Sequence, residues 1–163
     1  MSTLEVKAIQ APSGYDLQMP AGAIIQVVSA DIGALLTTTS TSFVDTNASL
    51  AITPKFASSK IICNFNFILA MWGQSRVRAG YQLVRGSTVI SGGAGEVIQI
   101  RDVSGSSQEV TLPVSLNKID SPSTTSATTY KIQIKATESG GSVQLIGQDN
   151  TRPGHMILME VAQ

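Results

Sequence analysis

The sequence predicts an all-β protein: a jelly-roll-like antiparallel β-sandwich of about 8–10 strands, preceded by a short extended N-terminal arm. Three observations predict it. Apolar and polar residues alternate with a period of two in segment after segment. Gly, Ser, Asn and Pro punctuate those segments at roughly 8–12-residue spacing, the rhythm of short strands joined by turns. No stretch carries a helical period over about ten residues.

The elements follow in order. Residues 1–22 read as an arm, with Leu4, Val6, Ile9, Tyr15, Leu17 and Met19 scattered between the breakers Pro12, Gly14 and Pro20, too interrupted to build a core alone. The sandwich spans residues 23–163, opening on the β-rich run Ala23–Ser29. Ser42–Asp45 and Ala48–Thr53 read as two further strands, the second closed by Pro54. Lys60–Met71 is the longest, with Ile61, Cys63, Phe65, Phe67, Leu69 and Met71 on one face. Arg76–Arg85 sets Val77, Ala79, Tyr81 and Leu83 on one side and turns through Gly86-Ser87 into Thr88–Ile90. Glu96–Asp102 and Gln108–Leu116 come next, the latter aligning Val110, Leu112, Val114 and Leu116. Thr129–Thr137 alternates most cleanly, Tyr130, Ile132, Ile134 and Ala136 pointing inward. Ser139-Gly140-Gly141 predicts a hairpin to Val143–Ile146, and His155–Ala162 is the last strand. The Ser/Thr tracts Thr37–Ser42 and Ser121–Thr129 read as loops or strand edges. Two four-stranded sheets use about eight strands, which favours a jelly roll.

Composition narrows the function classes. Hydrophobic residues are 42% and charged residues 13% of the 163, with a formal net charge of zero. Enough apolar surface is present to argue against disorder. A chain without basic excess has little with which to displace counterions, so no nucleic-acid partner is expected. The longest apolar run, Ile61 to Trp72, is broken by Asn64 and Asn66 and is shorter than the roughly 18 residues of a membrane span, so no membrane partner is expected either. The opening Met1-Ser-Thr-Leu-Glu-Val-Lys7 lacks the apolar centre of a signal peptide, which predicts cytoplasmic synthesis. The single cysteine, Cys63, excludes an intramolecular disulfide and sits at an inward position, where it reads as a small buried hydrophobe.

Few residues could carry chemistry. His155 is the one histidine; it opens a strand after Arg152-Pro-Gly and has no nucleophile motif to serve, so a structural or surface role is expected. Cysteine pairs, histidine pairs and calcium-loop acids are all missing from the sequence, so no metal and no cofactor is expected. Gly92-Gly-Ala-Gly95 lacks the Lys-Ser/Thr and following helix of a phosphate loop. The eleven acids are dispersed, and a paired acid and base would require folding to bring two of them together; the sequence predicts no enzyme. Trp72, Arg76, Arg78 and Tyr81 form the one noteworthy cluster. An aromatic pair with two cations suits a sheet rim, a subunit interface or a stacked sugar.

Several phrases resemble a β-sandwich module of tailed-phage virion proteins, particularly phages of marine and freshwater bacteria, cyanophage-like proteins among them. They are Pro20-Ala-Gly-Ala-Ile-Ile-Gln-Val-Val28, Thr38-Thr-Ser-Thr-Ser-Phe-Val-Asp45, Ile52-Thr-Pro-Lys-Phe-Ala-Ser-Ser-Lys-Ile61 and Leu83-Val-Arg-Gly-Ser-Thr-Val-Ile90. Asp120-Ser-Pro-Ser-Thr-Thr-Ser-Ala-Thr-Thr-Tyr-Lys-Ile-Gln-Ile134 and Met156-Ile-Leu-Met-Glu-Val-Ala162 complete the set. Together they span Pro20 to Gln163, and the start Ser2-Thr-Leu-Glu-Val-Lys7 is similar to the start of many such proteins. The resemblance implies a homotrimer that ends a tail fibre or tailspike, or decorates a capsid. Fibre proteins place an anchor and shaft before this module, whereas here about 20 residues would reach at most roughly 70 Å. That departure favours a capsid cement (decoration) protein on the outer capsid surface of the virion, assembled in the bacterial host cytoplasm. Its implied partner is the phage major capsid protein, touched by the arm residues named above; the alternative is a distal fibre domain that binds a host surface glycan.

Overall fold

In the computed structural model, described for residues 19–33, 36–74, 76–91, 96–101, 107–137, 141–146 and 154–163, the chain forms eleven strands and, among those residues, no helix. They are β1 (Ile24–Asp31), β2 (Leu36–Thr38), β3 (Val44–Ile52), β4 (Lys60–Gln74), β5 (Arg76–Arg85), β6 (Thr88–Val89), β7 (Glu96–Arg101), β8 (Ser107–Asp120), β9 (Thr128–Ala136), β10 (Ser142–Ile146) and β11 (His155–Val161). All pair antiparallel, in two sheets.

One sheet runs β1-β11-β4-β8; the other runs β3-β9-β5-β7. The short strands β2, β10 and β6 extend them: β10 continues β11 along the same edge of β4, β2 pairs with β10, and β6 continues β7 along β5. Numbered among themselves, the eight main strands follow the orders 1-8-3-6 and 2-7-4-5. That interleaving is the jelly roll, in which successive strands alternate between sheets except for the paired fourth and fifth, and the first and last lie side by side.

The core is the pair of inward faces. On β4, Ile61, Cys63, Phe65, Phe67, Leu69 and Met71 are buried, and on β9 so are Tyr130, Ile132, Ile134 and Ala136. Each large apolar side chain buried here contributes about 2–3 kcal/mol. Phe67 from one sheet meets Tyr81 from the other edge-to-face, 5.9 Å between ring centroids. Burial pushes the Cys63 thiol up to about 12, assisted by the charge of Asp120. The native protein is therefore expected to leave Cys63 unreacted with a thiol reagent at pH 8 and to titrate one thiol in denaturant; a fast native reaction would contradict the packing.

Three local readings change. The segments Ser42–Asp45 and Ala48–Thr53 are one strand, β3, with a bulge between Asp45 and Ser49. Thr46 turns inward at the bulge, its hydroxyl donating to the Ile132 carbonyl at 2.7 Å and accepting from the Ala48 N–H. The tract Thr37–Ser42 is a strand edge in part, as expected, through β2. The strand that begins at Gln108 in the sequence reading runs on past Leu116 to Asp120. No hairpin joins β9 to β10, because β10 hydrogen-bonds to β2 and β4 in the opposite sheet; residues 138–140, where the turn was expected, lie outside the described ones. By contrast Arg85-Gly86-Ser87 does make a tight hairpin, Val84 opposite Val89, with Gly86 at φ +57°.

Two carboxylates, one partly and one fully buried, fasten the sandwich. Asp120 Oδ2 at the end of β8 accepts from Tyr130 Oη and from Arg85 Nη1, each at 2.7 Å, linking the two sheets. Desolvation, reinforced by that carboxylate, pushes the Tyr130 phenol far above its ordinary value. Glu160 on β11 is fully buried, accepting from Lys55 N at 2.7 Å, Phe56 N at 3.2 Å and Gln26 Nε2 at 2.6 Å. Burial opposes its ionisation, but these donors prevail and hold the carboxyl below its usual value.

Candidate functional site

Because strands alternate their side chains, each sheet also has an outer face, and the two faces differ in chemistry. The outer face of β3-β9-β5 is charged and internally matched. Asp45 is held by Lys131 and by Gln133 Nε2, the latter at 2.7 Å, and Gln133 accepts from Gln82 at 2.6 Å. The Lys131 and Gln133 hydrogen bonds keep the Asp45 carboxyl below its ordinary value. Lys135 lies over the Phe43 ring at 4.5 Å and across Gly80, where an added Cβ would come within 2.9 Å of the lysine stem.

The outer face of β1-β11-β4-β8 is charge-poor. Cross-strand register sets Val27, Met159, Ile62 and Ile119 in one row across all four strands. Val27 is 56% and Ile119 68% exposed. Ile24, 53% exposed, stands opposite Val161 in the adjoining position. The next rows are Ser29, Ile157, Asn64, Asn117 and then Asp31, His155, Asn66, Ser115. Asn66 Nδ2 donates to Asn64 Oδ1 at 2.8 Å and lies 3.3 Å from His155 Nε2, while Ser115 Oγ donates to Asn66 Oδ1 at 2.6 Å. A shallow depression of about 350 Å³ overlies Asn66, Pro113, Ser115 and His155. The described residues contain no group of three or more His, Cys, Asp or Glu placed to hold a metal.

The sequence-predicted residues fall in different places. Met19 is exposed beside the turn into β1, where the Ala23 N–H donates to the Pro20 carbonyl and the Gly22 N–H to the Ala162 carbonyl. Leu4, Val6, Ile9, Tyr15 and Leu17 lie outside the described residues, as does Gly92–Gly95. Trp72 is partly buried on the outer side of β4, opposite Glu109 and Ser142. Arg78 belongs to the outer side of β5, in the other sheet, and Tyr81 points inward against Phe67. The strand order thus separates Trp72, Arg78 and Tyr81; the Arg76 side chain lies outside the described ones. His155 is an exposed member of the asparagine row. The apolar row itself is invisible to strand-by-strand reading, because only long-range register brings residues 27, 62, 119 and 159 together.

No protein-family model matches the chain, and no curated protein matches it. Solved structures similar to it include the Gx strain of infectious bursal disease virus, at TM-score 0.40 and 13% identity over 97% of this chain. They also include the VP2 subviral particle of that virus, at TM-score 0.38 and 14% identity over 97%, and its T13 viral particle, at 0.36 and 11% over 96%. This chain spans 42%, 42% and 40% of the length of those three chains.

Proposed function

We propose that the chain is a non-enzymatic structural protein of a tailed-phage virion, a homotrimeric cement protein on the outer capsid surface. The observation that carries this reading is the outer face of β1-β11-β4-β8, a broad, shallow, charge-poor surface with exposed apolar residues, suited to contact with other proteins. The sequence phrases from Pro20 to Gln163 supply the virion context. Leu4, Val6, Ile9, Tyr15, Leu17 and Met19 are assigned to the major capsid protein. Binding the assembled shell and not its free subunits would stabilise the shell by mass action, and many copies on a lattice would make a weak site effective.

Copy number per virion tests the placement. A number set by the capsid lattice supports cement; a small number confined to the tail supports the glycan-binding fibre tip instead. Deleting residues 1–18 tests the arm. The truncated protein is expected to keep its thermal transition, because every strand described begins at Ile24 or later, and to lose capsid attachment. Full occupancy of capsids by the truncated protein would remove the arm from the contact.

A further inference from the structure

We infer that the outer face of β1-β11-β4-β8 is where copies of this chain meet one another. The inference rests on the reading of the chain as a homo-oligomeric structural protein and assigns that oligomer its surface. Close to a symmetry axis of any order, threefold included, each side chain faces its own copies, so a charge there meets identical charges, and self-association selects against it. On this face the described outward charges are Lys60, Asp31 and Glu109, all toward its margins. The centre instead holds the Val27–Met159–Ile62–Ile119 row and the amides, hydroxyls and imidazole of Asn64, Asn66, Asn117, Ser115, Ser29 and His155.

Those polar groups suit a copy of themselves. An amide, a hydroxyl and a neutral imidazole each offer a donor and an acceptor, so identical groups can pair where identical ions would repel. The opposite face, with Lys131, Asp45 and Lys135, has charges that are already satisfied within one copy. Four strands about 4.8 Å apart and seven residues long give the patch a flat area of roughly 400 Å². A stable interface uses roughly 800 Å² per partner. The contact must therefore continue past this patch, and the neighbouring edge of β8 is open for it: β8 pairs with β4 alone among the described strands.

The test uses the full chain and the double variant Val27→Glu/Ile119→Lys, with Ser49→Lys on the exposed outer side of β3 as the control. Sedimentation velocity at micromolar concentrations is expected to show an oligomer for the wild type and for Ser49→Lys. At least tenfold weaker association is expected for the double variant, with circular dichroism reporting an unchanged fold. An equally tight oligomer from the double variant overturns the inference and leaves the cement reading standing. A monomeric wild type overturns the inference and the trimer, while capsid attachment, assayed separately, still decides the cement role. Should the double variant not fold, Asn117→Cys decides: a short bis-maleimide is expected to join copies through that thiol and not through Ser49→Cys, and no cross-link at 117 overturns the inference.

Discussion

Replacing Asp120 by alanine is expected to cost about 3 kcal/mol, and the effect comes from what it leaves behind. Asp120 Oδ2 is the shared acceptor of the Tyr130 hydroxyl and the Arg85 guanidinium. Without it a phenol in the fully buried Tyr130 side chain loses its partner, and a partly buried cation is left with the Ser121 carbonyl at 3.2 Å. Breaking a buried pair from one side costs about 3–5 kcal/mol; Arg85 keeps about a quarter of its side chain in water, which brings the figure to the lower end. For a chain of this length the thermal midpoint should fall by roughly 6–12 °C. Tyr130→Phe removes only the hydroxyl and should cost about 1 kcal/mol. Thermal denaturation of both variants checks the order, and a Tyr130→Phe effect equal to that of Asp120→Ala would show that the guanidinium contributes nothing.

The second large effect lies at Glu160. Glu160→Ala strips the acceptor from the Lys55 and Phe56 N–H groups and from the Gln26 amide, and about 3 kcal/mol of stability should go with it. Glu160→Gln keeps one acceptor oxygen and should cost less. The same site sets the acid limit. The folded carboxyl titrates below its ordinary value, so its contribution is present above about pH 4.5 and is lost as the pH falls through the folded value. Asp45 shifts in the same direction through Lys131 and Gln133. Wild-type stability should therefore hold from pH 7 to about 5 and decline below, and Glu160→Gln should flatten that decline. An unchanged acid limb in Glu160→Gln would show that other carboxyls set it.

What the sequence revealed depended on the range of the interaction. The inward rows of β4 and β9 were legible because alternation is local: Ile61 through Met71 and Tyr130 through Ala136 carry it without a break. The end of β8 was not, because Lys118 and Asp120 occupy inward positions where alternation calls for apolar residues, and only Tyr130 and Arg85, from the other sheet, make Asp120 acceptable there. The small residues Ser139-Gly140-Gly141 predict a change of direction, but such residues do not say which sheet receives the next strand, and β10 lies in the sheet opposite β9. The same ambiguity brought Trp72 and Arg78 together on paper: they are neighbours along the chain and belong to opposite sheets. The candidate contact face needed the most distant information, since its row joins residues 27 and 159.

The place of β11 between β1 and β4 also sets an order of events during synthesis. β1 is made early, yet its described hydrogen-bonding partner is β11 alone, and the Ala162 N–H returns to the Ala23 carbonyl. β4 likewise keeps the half of one edge that spans Lys60–Asn66 empty until His155–Val161 exists. A chain still on the ribosome thus carries an unpaired first strand and a half-open central strand, and the long-range closure that completes the sheet is of the slow kind. Until translation has passed residue 161, the nascent chain offers its neighbours on the same message a vacant slot of the shape that their own β11 would fill.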